Sequence, residues 1–284
     1  MVINTTKVIA KKAESNVGKL KLELEKQGEL EKYDLLILLT KYMIDLYSFE
    51  VNYQSNQSVS QIISRTVMET YLYIRFLTKS KKEEYKIKKQ AYSLIAQKND
   101  LNKTINSLYK DKLIDVNNHK DLLRRDKARE IADSFNINET RLDEEKKRID
   151  TEIKEFLEKN SDIKPKEFKK FYSISRDRKG KYLQTLQDLA LYVSEGELYN
   201  LLMSPTSERV HATNIYNEYN LPTLTSKSNQ DDDIPVFLGA IFVRNALKEI
   251  TNFCNKKSLF DENLGKCVDN LKYGIQNEIG NWIR

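Results

Sequence analysis

Apolar positions recur along most of this chain with the period of a helix. From Leu30 to Tyr47, LEKYDLLILLTKYMIDLY is apolar on more than one face, which predicts a helix surrounded by others at the centre of the fold. The polar break NYQSNQS follows, and its serines and asparagines offer helix caps. Ile62, Ile63, Val67, Tyr71, Ile74 and Leu77 then predict a second helix from about Val59 to Leu77. Residues 80–160 change character. Charge becomes dense and the apolar positions thin to Leu101, Ile105 and Leu108, then Leu142, Ile149, Ile153 and Phe156. These form a stripe with coiled-coil spacing on two segments, broken near DVNNHKDL and SFNINET, and predict an antiparallel helical arm folded on itself. The body resumes at YLQTLQDLALYV, where Leu183, Leu186, Leu189, Ala190 and Val193 share a face, and it ends in helices that begin at IPVFLGAIFVRNALKEI.

The resulting expectation is an all-α protein: a helical bundle body with an inserted charged arm, divided as residues 1–96, 97–163 (the arm) and 164–284. With 8 glycines and 4 prolines in 284 residues, the chain has too few turn residues for a many-stranded sandwich. No apolar run is long enough for a signal-peptide core or a membrane span, so a cytoplasmic protein without membrane contact is expected. Cys254 and Cys267 lack the spacing of a zinc or redox motif and read as reduced thiols.

The net charge is +6. One stretch, KPKEFKKFYSISRDRKGKY (164–182), carries an equal excess, with 8 basic residues against Glu167 and Asp177. Phe168, Phe171, Tyr172 and Tyr182 are interleaved. That combination suits single-stranded RNA, with Lys169, Lys170, Arg176, Arg178 and Lys179 at phosphates and Tyr172 stacking on a base. The competing reading is a solvated surface whose aromatic rings point into the core.

Two polar pairs interrupt the apolar pattern. Arg65 and Glu69 are four residues apart within SRTVMETYLYIRFL, so they share a helix face and can pair. Ser207 and His211, also four apart, lie in SPTSERVHATN. If a helix begins there, Ser207 stands near its first turn, where N–H groups can hold an anion, and His211 lies one turn on. An imidazole that shuttles protons and an arginine that stabilises phosphate charge suffice for RNA cleavage without a metal. Other chemistries lack parts. Glu208 and His211 form one E-x-x-H pair, but a di-iron site needs a second, and the only other histidine, His119, has Val116 at the glutamate position. No zinc-ligand set, Gly-rich phosphate loop or G-x-S-x-G elbow is present. No metal and no cofactor are therefore expected.

Arg65 with Glu69, followed by Tyr85 and Tyr92, and later Ser207, Val210 and His211, resemble an uncharacterised bacterial helical family of unknown function. Its pattern is R-x-x-x-E on an early helix and a late S-x-x-x-H. The resemblance covers residues 30–95 and 180–255, with the arm as an insertion, and implies a common polar site. More distantly, the chain is similar to HEPN ribonucleases of toxin and phage-defence systems, helical bundles that cleave RNA through R-x(4-6)-H. Here the nearest upstream arginine, Arg209, is two residues before His211, so Arg65 would have to take its place. The expected site is then His211 as acid/base, Arg65 as charge stabiliser, Glu69 orienting Arg65, and Ser207 positioning substrate. The alternative is a noncatalytic interaction protein, in which these residues form a structural lock. In either case the arm would offer its stripe to a protein partner or a second copy.

Overall fold

The computed structural model describes residues 2–52, 57–79, 81–109, 126–127, 129–130, 132–134, 137–200 and 233–271. The protein is all-α. In chain order the helices are α1 (Val2–Lys26), α2 (Leu30–Asn52), α3 (Gln57–Thr78), α4 (Lys82–Tyr109), α5 (Glu139–Lys159), α6 (Leu186–Tyr192) and α7 (Asp233–Phe253). Shorter helical stretches lie at 196–200 and 262–271. Among the described residues no helix is long and apolar enough to cross a membrane.

The chain forms two compact units, one from residues 1–81 with 185–284 and the other from 82–184. In the first, α2 and α7 each pack against the three other long helices, and α1 and α3 flank them. The all-round apolar character of α2 is the cause: Tyr33, Leu36, Ile37, Met43, Ile44 and Tyr47 are buried on several sides. From α7 come Val236, Phe242, Val243, Ala246, Leu247 and Ile250, and from α3 Val67, Met68, Tyr71, Leu72 and Ile74. The α1–α2 turn is set by Gly28, whose φ of +66° needs no Cβ. Its N–H donates to the Glu25 carbonyl and that of Glu29 to Leu24, which closes the end of α1. Buried Asn16 donates to the Leu259 carbonyl at 2.6 Å and so fastens α1 to the turn after α7.

In the second unit α4 packs against α5 and against the turn at Phe171–Ile174. Ala91, Leu94, Ile95 and Leu101 face inward from α4, and Ile149, Ile153 and Phe156 from α5. Asn138 caps α5 by accepting from the Arg141 N–H at 2.9 Å. Ile105 and Leu142, further along the stripe, are only half-buried.

This unit is longer than the arm set at 97–163 by the pattern of charge. Two packing facts extend it. Helix α4 runs without a break from Lys82, so no boundary falls near 97. The rings of the basic stretch also fill the arm's own core: Phe168 stacks on Phe156 at 5.4 Å, and Phe171 meets Tyr92 edge-on at 4.9 Å. Residues 164–184 therefore belong with the arm and not with the body.

Candidate functional site

Helix α3 carries the polar groups that organise the first unit. Arg65 and Glu69 lie one turn apart at the edge of its buried face, with Arg65 Nε 3.2 Å from Glu69 Oε1. Their side chains are 27% and 30% exposed, so solvent or a ligand reaches the pair. The pair is the one expected from the four-residue spacing. Tyr199 stands in the field of both charges. Burial raises its phenol above the ordinary range, Arg65 pulls it down, and Glu69 pushes it up.

Three turns along α3 from Arg65, a second polar node fastens the segment that leads to Tyr199. Tyr71 donates from its hydroxyl to Glu195 Oε1 at 2.7 Å. Arg75 bonds Glu249 of α7 and reaches the Val193 carbonyl at 3.5 Å. Its Nε lies 3.3 Å from Glu195 Oε1, an ion pair without hydrogen-bond alignment. Burial, with the bond to Glu195 next, holds the Tyr71 phenol well above its usual range, so it remains a donor.

The chain reaches this node through a strained turn. Thr185 and Asp188 cap the start of α6 reciprocally, at 3.0 and 2.9 Å. At its end Ser194 N–H donates to Leu191 O and Glu195 N–H to Ala190 O. That closure puts Ser194 at φ +66°, a conformation a serine adopts only against steric cost. Ser194→Gly should therefore stabilise the protein, by about 0.5 kcal/mol after the added freedom of glycine in the unfolded chain is deducted. Thermal or urea melts measure this. A lower stability would show that the serine hydroxyl itself holds the turn.

A third cluster is sealed from solvent. Glu50, at the end of α2, is fully buried. Its Oε1 accepts from Ser60 at 2.8 Å and from Ser64, both on α3. Its Oε2 has no hydrogen-bond partner. Gly239 of α7 closes the cluster: a Cβ there would sit 2.9 Å from Tyr47 Cδ2 and 3.2 Å from Glu50 Oε2. Burial raises the Glu50 carboxyl to about 7, against the two serine bonds, which favour the charged form.

In the basic stretch of the second unit the aromatic rings turn inward, which corrects the stacking role expected of Tyr172. Tyr172 is 4% exposed, with its ring against Phe171 at 5.2 Å, and Phe168 and Phe171 are buried too. Tyr172 is therefore a core residue and offers no face for a base. Tyr182 is engaged as well, under the Arg176 guanidinium at 4.5 Å and hydrogen-bonded to the Asp162 carbonyl at 2.5 Å. Lys169, Lys170, Arg176, Arg178 and Lys179 are exposed. The loop that presents the last two is fixed by Asp177, whose Oδ1 accepts from the N–H groups of Lys179 and Lys181 at 2.9 and 2.8 Å, and by Gly180 at φ +77°.

Of the four residues expected to form one site, Arg65 and Glu69 are brought together on α3, while Ser207 and His211 lie outside the described residues. Spacing alone pointed neither to Tyr199 nor to the Tyr71–Arg75–Glu195–Glu249 node. Tyr71 and Arg75, and likewise Ser60 and Ser64, did repeat four apart within an apolar helix. Among the described residues no group of three His, Cys, Asp or Glu side chains is placed to hold a metal ion.

No curated protein and no solved structure matches the chain. A family does. The model of DUF5677, a family of unknown function, matches residues 53–221, more than half of the 284, a span that includes Arg65, Glu69, Ser207 and His211. The chain belongs to that family.

Proposed function

We propose that this protein is a metal-independent endoribonuclease of a toxin or phage-defence system, with an HEPN-like body. The observation that carries the reading is the solvent-reached Arg65–Glu69 pair, 3.2 Å apart on one face of the otherwise apolar α3. The chain is fastened to α3 at Glu195, twelve residues before Ser207 and sixteen before His211. His211 takes a proton from the RNA 2′-hydroxyl, which attacks the adjacent phosphorus. The P–O5′ bond breaks, the 5′-oxygen leaves with the proton returned by the His211 imidazolium, and a 2′,3′-cyclic phosphate remains. The Arg65 guanidinium stabilises the negative charge that builds there. Glu69 holds the guanidinium in place, and Ser207 positions the phosphate. Because the 2′-hydroxyl is the nucleophile, the chemistry requires no metal-bound water.

Lys169, Lys170, Arg178 and Lys179 supply contacts to the RNA backbone. With Tyr172 in the core, recognition of RNA rests on phosphates and not on stacked bases, so affinity depends steeply on salt and little on sequence.

The test is cleavage of end-labelled single-stranded RNA in EDTA, with thermal melts of every variant. Arg65→Ala and His211→Ala should each lose about 10²-fold or more in rate and melt with the wild type. Changing the four basic residues to alanine should weaken binding and flatten its log–log salt dependence by about 3. A wild type inactive in both EDTA and magnesium, with a His211→Ala variant that melts much lower, would establish the noncatalytic lock instead.

A further inference from the structure

We propose that the protein forms a two-fold dimer in which the outer face of α2 packs against the same face of a second copy, antiparallel. A helix apolar all round belongs inside a fold. Among the described residues α1, α3 and α7 pack against α2, and one side of α2 stays exposed. Leu38 is 64% exposed, Tyr42 51% and Phe49 47%, with Leu35 and Leu46 half-exposed beside them. Isolated exposed apolar residues are ordinary, but these are not scattered. Leu35, Leu38, Tyr42, Asp45 and Phe49 follow one another at intervals of three, four, three and four. This is the seam of a helix that packs along another helix.

The charges on the seam select the occupant. Asp45 is exposed in the middle of the stripe, and exposed Lys41 stands one turn before it, next to Tyr42. When the helix is laid antiparallel on itself about a point between Met43 and Ile44, Leu38 faces Phe49 of the second copy. Tyr42 faces Asp45 of the second copy, with Lys41 alongside. The phenol donates to the carboxylate, the ammonium neutralises it, and two-fold symmetry makes both contacts twice. A parallel pairing would set Asp45 against Asp45. The seam thus carries both halves of its own complement, the condition for an isologous interface. The proposal depends on neither reading of the Arg65 site.

Sedimentation velocity on the full chain, over a dilution series in the micromolar range, tests it. The wild type should sediment as a dimer. Leu38→Glu and Phe49→Glu should each sediment as a monomer with unchanged circular dichroism, and the milder Tyr42→Phe/Asp45→Asn double variant should dissociate at higher protein concentration than wild type. Register is read by oxidation in a Cys267→Ser background. Leu38→Cys with Phe49→Cys should cross-link two chains, and neither single cysteine should. A monomeric wild type, a dimer indifferent to Leu38→Glu, or cross-linking of either single variant would overturn the proposal. So would a monomer whose Leu38→Glu variant melts lower, since the face would then be covered within its own chain.

Discussion

Glu50→Gln is expected to melt above the wild type at alkaline pH and to lose that advantage as pH falls toward 4. The native carboxyl titrates at about 7 because its site excludes water, while in the unfolded chain it titrates near 4.5. Below 4.5 both states hold the proton and the group has no effect on stability with pH. Between 4.5 and 7 the unfolded chain releases the proton and the native state keeps it, so stability falls as pH rises. At about 1.4 kcal/mol per pH unit, the loss reaches roughly 3 kcal/mol above pH 7. Glutamine has nearly the same shape and can still accept from Ser60 and Ser64, but never acquires a charge. The gain above pH 7 is thus about 1–3 kcal/mol, the lower value applying if the new amide N–H groups find no acceptor. Urea melts of both proteins from pH 4 to 8.5 measure it. Parallel stability curves would mean that Glu50 keeps an ordinary carboxylate titration in the native state.

Arg75→Ala should be the most damaging change to the polar node, at about 2–4 kcal/mol. The guanidinium lies between two carboxylates and a carbonyl, and its removal leaves the carboxylate of Glu195, 14% exposed, with the Tyr71 hydroxyl as its side-chain partner among the described residues. Glu249, 35% exposed, is better served by water and contributes less. Glu195→Gln, which retains an acceptor for Tyr71 but gives up the charge, should cost less, about 1 kcal/mol. A double-mutant cycle on Arg75 and Glu195 reads the coupling directly and should give about 1–3 kcal/mol. Additive effects of the two changes would show that the 3.3 Å approach carries no interaction of its own.

How much of this was legible depends on the distance over which each feature is made. The central place of α2, the course of α3 and the stripe of the arm follow from periodicity, a local property of the chain. So does the Arg65–Glu69 pair, four residues apart on one face. The bond between Tyr71 and Glu195 spans 124 positions, and no local pattern reveals it. Glu50 was hidden for a different reason. A carboxylate near the end of a helix reads as solvated until the serines of the next helix and a glycine from α7 are seen to enclose it. The basic stretch allowed two readings by composition, a stacking platform or a solvated surface with its rings turned inward, and the buried rings that fill the arm's interior match the second. The arm's compact unit reaches beyond 97–163 for the same cause, since a drop in apolar density marks where a core is thin, not where it stops.

The division of the chain also sets an order of events during synthesis. The unit at 82–184 is one continuous stretch closed by neighbouring segments, α4 against α5 and the turn that follows. It can fold as soon as it leaves the ribosome. The unit begun first must wait. Its helices α1, α2 and α3 emerge early, but α7, which contacts all three, is more than 150 residues further on than α3. Until α7 arrives, the apolar sides of α2 and α3 that it covers stay open to water and to other nascent chains. In the cell, the body is thus the part most exposed to aggregation and chaperone capture, although its helices are translated first.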